Sequence, residues 1–153
     1  RKLMNEKISS GKIIVKDKEI TIVQINEDDY ISLTDIAKIK NDGDTNMVIA
    51  SWIRRVDTIE FLKLWELINN DNFKPTDFEG FKSKPGQNAF TISPKKWIEL
   101  TNAIGLKVKS GRYNGGTYAH KEIALHFMCW LSAEMMLNVI EKYLEVMNDE
   151  KDN

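Results

Sequence analysis

A glycine-rich turn, Gly111-Arg112-Tyr113-Asn114-Gly115-Gly116, stands between a basic segment and a long apolar one, and it constrains the fold more than any other stretch. Asn-Gly-Gly supplies residues that accept φ > 0, so Leu106 to Ser110 can reverse into Thr117 to Ala119 as a β-hairpin. The next residues change period at once: His120 to Leu131 reads as a helix through Ile123, Ala124, Phe127, Trp130 and Leu131. A hairpin running straight into a helix predicts an α+β fold. The leading arm carries Lys107, Lys109 and Arg112, and a cationic loop held on a rigid scaffold suits an anionic partner.

Upstream, Lys12 to Val15 and Ile20 to Ile25 are β-branched runs split by Lys16-Asp17-Lys18-Glu19, which predicts a second, N-terminal hairpin. Tyr30-Ile31 reads as a short strand. Ser32 and Asp35 have capping-box spacing and open a helix over Leu33 to Ile39, which Asn41-Asp42-Gly43-Asp44 breaks. Asn46 to Val56 then places Val48, Ile49, Trp52 and Ile53 on one helical stripe and leaves Ser51, Arg54 and Arg55 off it. This pair reads either as a helical hairpin that merely packs or as a helix-turn-helix whose second helix offers polar and basic residues to a groove.

Asp57 and Glu60 repeat the capping spacing, and Phe61, Leu64, Trp65 and Ile68 predict a core stripe reaching about Asn70. From Asp71 to Asn88, turn formers such as Pro75, Gly80, Pro85 and Gly86 predict an exposed excursion, most clearly over 72–88. Ser93-Pro94 starts another helix through Trp97, Leu100 and Ile104 to a stop at Gly105, with Lys95 and Lys96 in its first turn reaching into water. Ser132 caps a final helix with a broad apolar face formed by Met135, Met136, Val139, Ile140, Tyr143, Leu144 and Met147. Core packing or a partner helix can each consume that face.

Composition excludes several classes. Apolar runs such as Phe127 to Leu131 are too short to span a bilayer, and no signal-peptide pattern opens the sequence, so a cytoplasmic setting is expected. The chain opens at Arg1 rather than Met, which suits a piece of a longer protein. His120 and His126, six residues apart on one helix, point to different sides, and the lone Cys129 in an apolar segment reads as a buried thiol, so no metal site or thiol chemistry is expected. No Lys-Ser or Lys-Thr follows the glycines as a phosphate-binding loop requires, and neither cofactor nor small-molecule substrate is expected. Net charge is −1, yet Lys82 to Lys121 holds eight Lys or Arg against the single acid Glu99. Local surplus, not the total, decides whether phosphates are attracted.

Tyr30-Ile31-Ser32-Leu33-Thr34-Asp35-Ile36-Ala37, Ser51-Trp52-Ile53-Arg54, Thr58-Ile59-Glu60-Phe61-Leu62 and Gly115-Gly116-Thr117-Tyr118-Ala119-His120, running through Ala124 to Trp130-Leu131-Ser132, resemble in order the motifs of the KilA-N domain family. That family occurs in phages, bacteria and large DNA viruses and is related to the fungal APSES DNA-binding domain. The resemblance spans about Lys12 to Met147 and implies one domain over 1–153: a winged helix-turn-helix arrangement without a catalytic centre that binds double-stranded DNA. Carried onto this chain, Leu33 to Ile39 is the supporting helix, Asn46 to Val56 the recognition helix and Lys107 to Thr117 the wing. Side-chain chemistry then nominates Asn46, Ser51, Arg54 and Arg55 on the helix, and Lys107, Lys109, Arg112, Tyr113 and Asn114 on the wing. The alternative is a protein-interaction module of phage antirepressor type. In either case a homodimer through the last helix is open.

Overall fold

A computed structural model describes residues 8–15, 18–40, 43–75, 92–111 and 115–152. Strands β1 (Ile8–Val15), β2 (Lys18–Ile25) and β3 (Asp28–Ser32) form an antiparallel meander. Four helices follow: α1 (Leu33–Lys40), α2 (Thr45–Ile53), α3 (Val56–Asn69) and α4 (Pro94–Thr101). The chain then returns to the sheet as the hairpin β4 (Leu106–Lys109) and β5 (Gly116–His120) and ends in α5 (Lys121–Leu131) and α6 (Ala133–Asp152). The five strands are all antiparallel in the order β1-β2-β3-β5-β4. None of the described helices is long and apolar enough to cross a membrane.

Both expected hairpins are present. The turn from β2 to β3 is a two-residue loop, Asn26-Glu27, with φ of 52° and 73°. Two positive φ values in succession match the twist of antiparallel strands, and Asn tolerates that region well. Glu27 gave no such signal in the sequence. Pairing of β5 with β3, Ser32 opposite Tyr118 and Tyr30 opposite His120, joins the C-terminal hairpin to the meander, so the expected wing is one end of a continuous sheet with β4 at its edge.

The core lies between the sheet and the helices. Leu33, Ile36 and Ala37 of α1, Ile49, Trp52 and Ile53 of α2, and Ile123, Ala124 and Phe127 of α5 are all buried with Leu106 and Ala119. Trp52 meets Phe127 edge to face at 5.2 Å between ring centroids, a preferred geometry for aromatic pairs. Trp97 is fully buried and Trp65 nearly so, whereas Trp130 is half-buried and Cys129 likewise. Burial raises the Cys129 thiol pKa, which keeps it protonated and unreactive.

Three caps follow the sequence. Ser32 Oγ accepts from Asp35 N at 3.0 Å, Ser93 Oγ from Lys96 N at 3.2 Å, and Ser132 Oγ from Met135 N at 3.1 Å. The Asp35 carboxylate does not close the box. It accepts from Thr21 N at 2.8 Å, tying α1 to β2.

Other boundaries move. α2 ends at Ile53, not Val56, because Arg54 and Arg55 form a break in which Arg54 caps α2 and Arg55 precedes α3. Asp57 is inside α3 and is not its N-cap residue; its carboxylate binds Arg55. α4 stops at Thr101, since Asn102 takes a left-handed φ of 60°, three residues short of the expected last residue Ile104. His120 ends β5 and caps α5 rather than opening the helix.

The stripe on α3 is also rotated. Ile59, Leu62, Trp65 and Glu66 face the core, while Leu64 and Ile68 are exposed. Apolar residues occupy both sides of this helix, so their spacing does not select one. The expected excursion starts anchored: Phe73 is buried against Trp97 and Lys74 N donates to Thr101 O at 2.7 Å. Residues 76–91 lie outside the described residues.

Candidate nucleic-acid interface

Asp44 caps α2 by accepting from Met47 N at 3.1 Å through Oδ1, which fixes where the helix starts. With Ile49, Trp52 and Ile53 buried, the 3.6-residue period turns Met47, Ser51 and Arg54 outward, and Asn46, in the first turn of the helix, is exposed as well. The rotation is locked by Trp52, whose Nε1 donates to His126 Nδ1 on α5 at 3.0 Å. Phe61 stacks on the same imidazole at 4.4 Å and 24°. Burial lowers the His126 pKa, so the ring stays neutral and keeps the acceptor that Trp52 needs.

The two arginines of the break are not equivalent. Arg55 makes a bidentate pair with Asp57, Nε to Oδ1 at 2.9 Å and Nη2 to Oδ2 at 3.0 Å. That hydrogen bonding raises the Arg55 pKa and lowers that of Asp57. Among the described residues Arg54 makes no ion pair, so the corner offers one uncompensated guanidinium and one committed to a carboxylate.

The C-terminal hairpin is fixed at its base. Lys109 pairs with Gly116 and Lys107 with Tyr118, so six residues separate the strands rather than a two-residue turn. The positive φ values fall at Gly111 (124°) and Gly116 (137°). Gly115 is needed for space instead, because a Cβ there would collide with the Gly111 carbonyl. A Cβ on Gly116 would press on Thr34 Oγ1, the same hydroxyl that accepts from Thr117 N at 3.1 Å. α1 therefore carries the hairpin base on its first turn and packs against α2 as well. Lys107 Nζ lies 5.7 Å from the Tyr30 ring centroid, a cation–π contact, and Lys109 and Val108 are exposed. Arg112, Tyr113 and Asn114 lie outside the described residues.

Two features escaped the sequence reading. Lys95, read as merely solvated, lines with Lys107, Glu99 and Leu106 a cleft of about 360 Å³ between α4 and β4. Glu66, which looks like one more acid on a helix, is fully buried, and its carboxylate accepts from Gly105 N at 2.7 Å, Ile104 N at 3.0 Å and Asn70 Nδ2 at 2.8 Å. It thereby fixes the entry to β4. Gly105 is obligatory beside it, since a Cβ would strike Ile123 and the Glu66 carboxylate. An invariant spacing could not have found Glu66; a buried acid is recognisable only from the backbone it serves.

A second cleft, about 320 Å³ and polar, is lined by Asp28, Trp65, Asn69, His120 and Glu122. Both His120 nitrogens are engaged: Nδ1 accepts from Glu122 N at 3.2 Å and Nε2 lies 3.5 Å from Asp28 Oδ1. The imidazole is a cap and a strut between Tyr30 and Trp65. Among the described residues no group of three His, Cys, Asp or Glu is placed to hold a metal ion.

The assembled features define a small α+β domain that displays polar and cationic side chains on a helix corner and on a hairpin, braced by a shared first helix. The chain belongs to the KilA-N domain family, whose model matches residues 13–149. Members of this family are generally DNA-binding domains. No curated protein and no solved structure matches it.

Proposed function

We propose that the chain is a single domain that binds double-stranded DNA, with α2 as the recognition helix, α1 as its support and the β4–β5 hairpin as the wing of a winged helix-turn-helix. The observation that carries the reading is the orientation of α2: Trp52 and Ile53 are locked inward, Ser51 and Arg54 are turned out, and Asn46 is exposed in the first turn. Ser51 and Asn46 suit hydrogen bonds to base edges or backbone, and Arg54 suits phosphate or guanine. Lys107, Lys109 and Arg112 supply charge to the flanking backbone, with Tyr113 and Asn114 beside them. Arg55 acts indirectly, because Asp57 already holds it. The reading extends to an APSES-like regulator of phage or bacterial type, acting in the cytoplasm and without enzymatic activity.

The test is fluorescence anisotropy of a labelled duplex with the intact chain. By counterion release, each neutralised phosphate lowers affinity about 3.5-fold for a fourfold rise in salt. Lys109→Glu with Arg112→Glu should weaken binding and flatten the log–log salt slope by about two. A folded protein that binds no duplex at about 50 mM salt sinks the DNA reading and favours the interaction module.

A further inference from the structure

Thr34 is not among the contacts proposed above, yet it stands where the wing meets the body of the domain. Gly105 O accepts from His120 N at 2.8 Å, so along β5 the residues His120, Tyr118 and Gly116 turn their N–H groups toward β4. Ala119 and Thr117 therefore turn theirs the other way, toward β3. For Thr117 no strand remains on that side: β3 pairs with β5 only as far as Ser32 and Tyr118, and the chain then enters α1. Thr34 Oγ1, on the first turn of that helix, supplies the acceptor that the ladder lacks, 3.1 Å from Thr117 N. Thr117 is buried, so its N–H has to be met within the protein.

The same turn is tied on the opposite side of β3. Asp35, the next residue, accepts from Thr21 N of β2 at 2.8 Å, and its own N–H is held by the Ser32 cap at 3.0 Å. With β3 lying between β2 and β5, Thr34 and Asp35 reach to both of its neighbours, so the start of α1 is bracketed across three strands. The rest of α1 buries Leu33, Ile36 and Ala37 in the core that also takes Ile49, Trp52 and Ile53 of α2. On the wing side, Val108 stands opposite Thr117 and Lys109 opposite Gly116, whose missing side chain lets Thr34 Oγ1 approach. Thr34 thus holds the rungs from which Lys109 projects.

We propose that the Thr34 hydroxyl is a positioning group for DNA binding: it fixes the wing relative to α2, so that both elements meet one duplex at a set spacing. The proposal rests on the DNA reading above and adds to it a residue that acts through the wing rather than on the duplex. Glu66 secures the entry to β4, the end of the hairpin away from its tip, and Thr34 secures the end next to the tip. Without the hydroxyl the fold stays and the wing end swings. Affinity then falls by what it costs to restore one arrangement on binding.

The test has an arm without DNA and an arm with it. In a Cys129→Ser background, spin labels on Met47→Cys of α2 and Val108→Cys of β4, both exposed and neither among the proposed contacts, report the spacing of helix and wing by double electron–electron resonance. One narrow distance distribution is expected for the native Thr34 and for Thr34→Ser, which keeps the acceptor. Thr34→Val and Thr34→Ala, which lack it, should broaden or shift the distribution with unchanged circular dichroism. On a duplex that the wild type binds, Thr34→Val should weaken affinity about three- to tenfold, the worth of one hydrogen bond, and Thr34→Ser should bind as the wild type does. Once Lys109→Glu and Arg112→Glu have disabled the wing, adding Thr34→Val should cost less than about twofold. An unchanged distance distribution in Thr34→Val overturns the proposal. So does equal binding by Thr34→Val and the wild type, or a loss of the same size with the wing disabled, which would mark a structural role alone. These failures leave the DNA reading standing, whereas a wild type that binds no duplex sinks that reading and the proposal with it.

Discussion

Replacing Glu66 with alanine tests the account of how the hairpin is held. The carboxylate is the acceptor for Gly105 N–H, Ile104 N–H and one Asn70 N–H, at 2.7, 3.0 and 2.8 Å, in a site closed to solvent. Alanine leaves these donors without that acceptor, and each such group costs about 1–3 kcal/mol when buried. Asn70 Nδ2 keeps its bond to Asn102 O, and Ile104 is half-buried, so those two sit at the low end and the total is about 3–5 kcal/mol. That is a large share of the roughly 5–15 kcal/mol that holds a domain of this kind. Glu66→Gln keeps one oxygen for Gly105 but turns an amide N–H₂ toward donors, so about half the loss is expected. Urea unfolding gives the magnitude, and amide hydrogen exchange gives the location. Exchange at Ile104 and Gly105 should accelerate in both variants before that of the α2 core. A loss under about 1 kcal/mol, with exchange at these two amides unchanged, would refute the assignment.

Two further perturbations check the local arguments. Gly116→Ala places a Cβ at φ 137° against Thr34 and should cost about 1–3 kcal/mol, while Gly11→Ala, with nothing within 4 Å, should leave urea stability close to wild type. His126 sets a pH dependence: its folded pKa lies below the ordinary 6.5, so between the two values the unfolded chain binds more protons and stability rises with pH. The contribution is complete above about pH 7 and is lost as pH falls through 6.5 toward the folded value. His126→Gln should flatten that segment of a pH–stability profile; an unchanged slope would place the titration elsewhere.

Much of the fold was legible because local signals agreed with one another. Ser32, Ser93 and Ser132 each announce a helix and each makes its cap bond, and the β-branched runs before Ile25 form the expected hairpin. The family likewise followed from ordered motifs. What stayed hidden is non-local or two-faced. The Arg54-Arg55 break has no Gly or Pro to announce it, and the carboxylate of Asp57 holds Arg55 there. On α3, Leu64 and Ile68 compete with Ile59 and Leu62 for the core, and only the position of the sheet decides. In the candidate site, the outward side of α2 was readable from Trp52 and Ile53, but the loss of Arg55 to Asp57 and the cleft that Lys95 and Lys107 both line depend on tertiary placement that no spacing encodes.

The pairing of β3 with β5 has a further consequence. Residues before Pro75 contain β1–β3 and α2; residues after Ile92 contain β4, β5, α5 and α6. Neither half holds a complete sheet, and the ties that close the core, Trp52 to His126, Trp65 to Glu122 and Glu66 to Gly105, all cross between them. The domain is thus two interlocking half-folds, and a contact surface that draws on α2 and on the hairpin exists only where both halves have found each other.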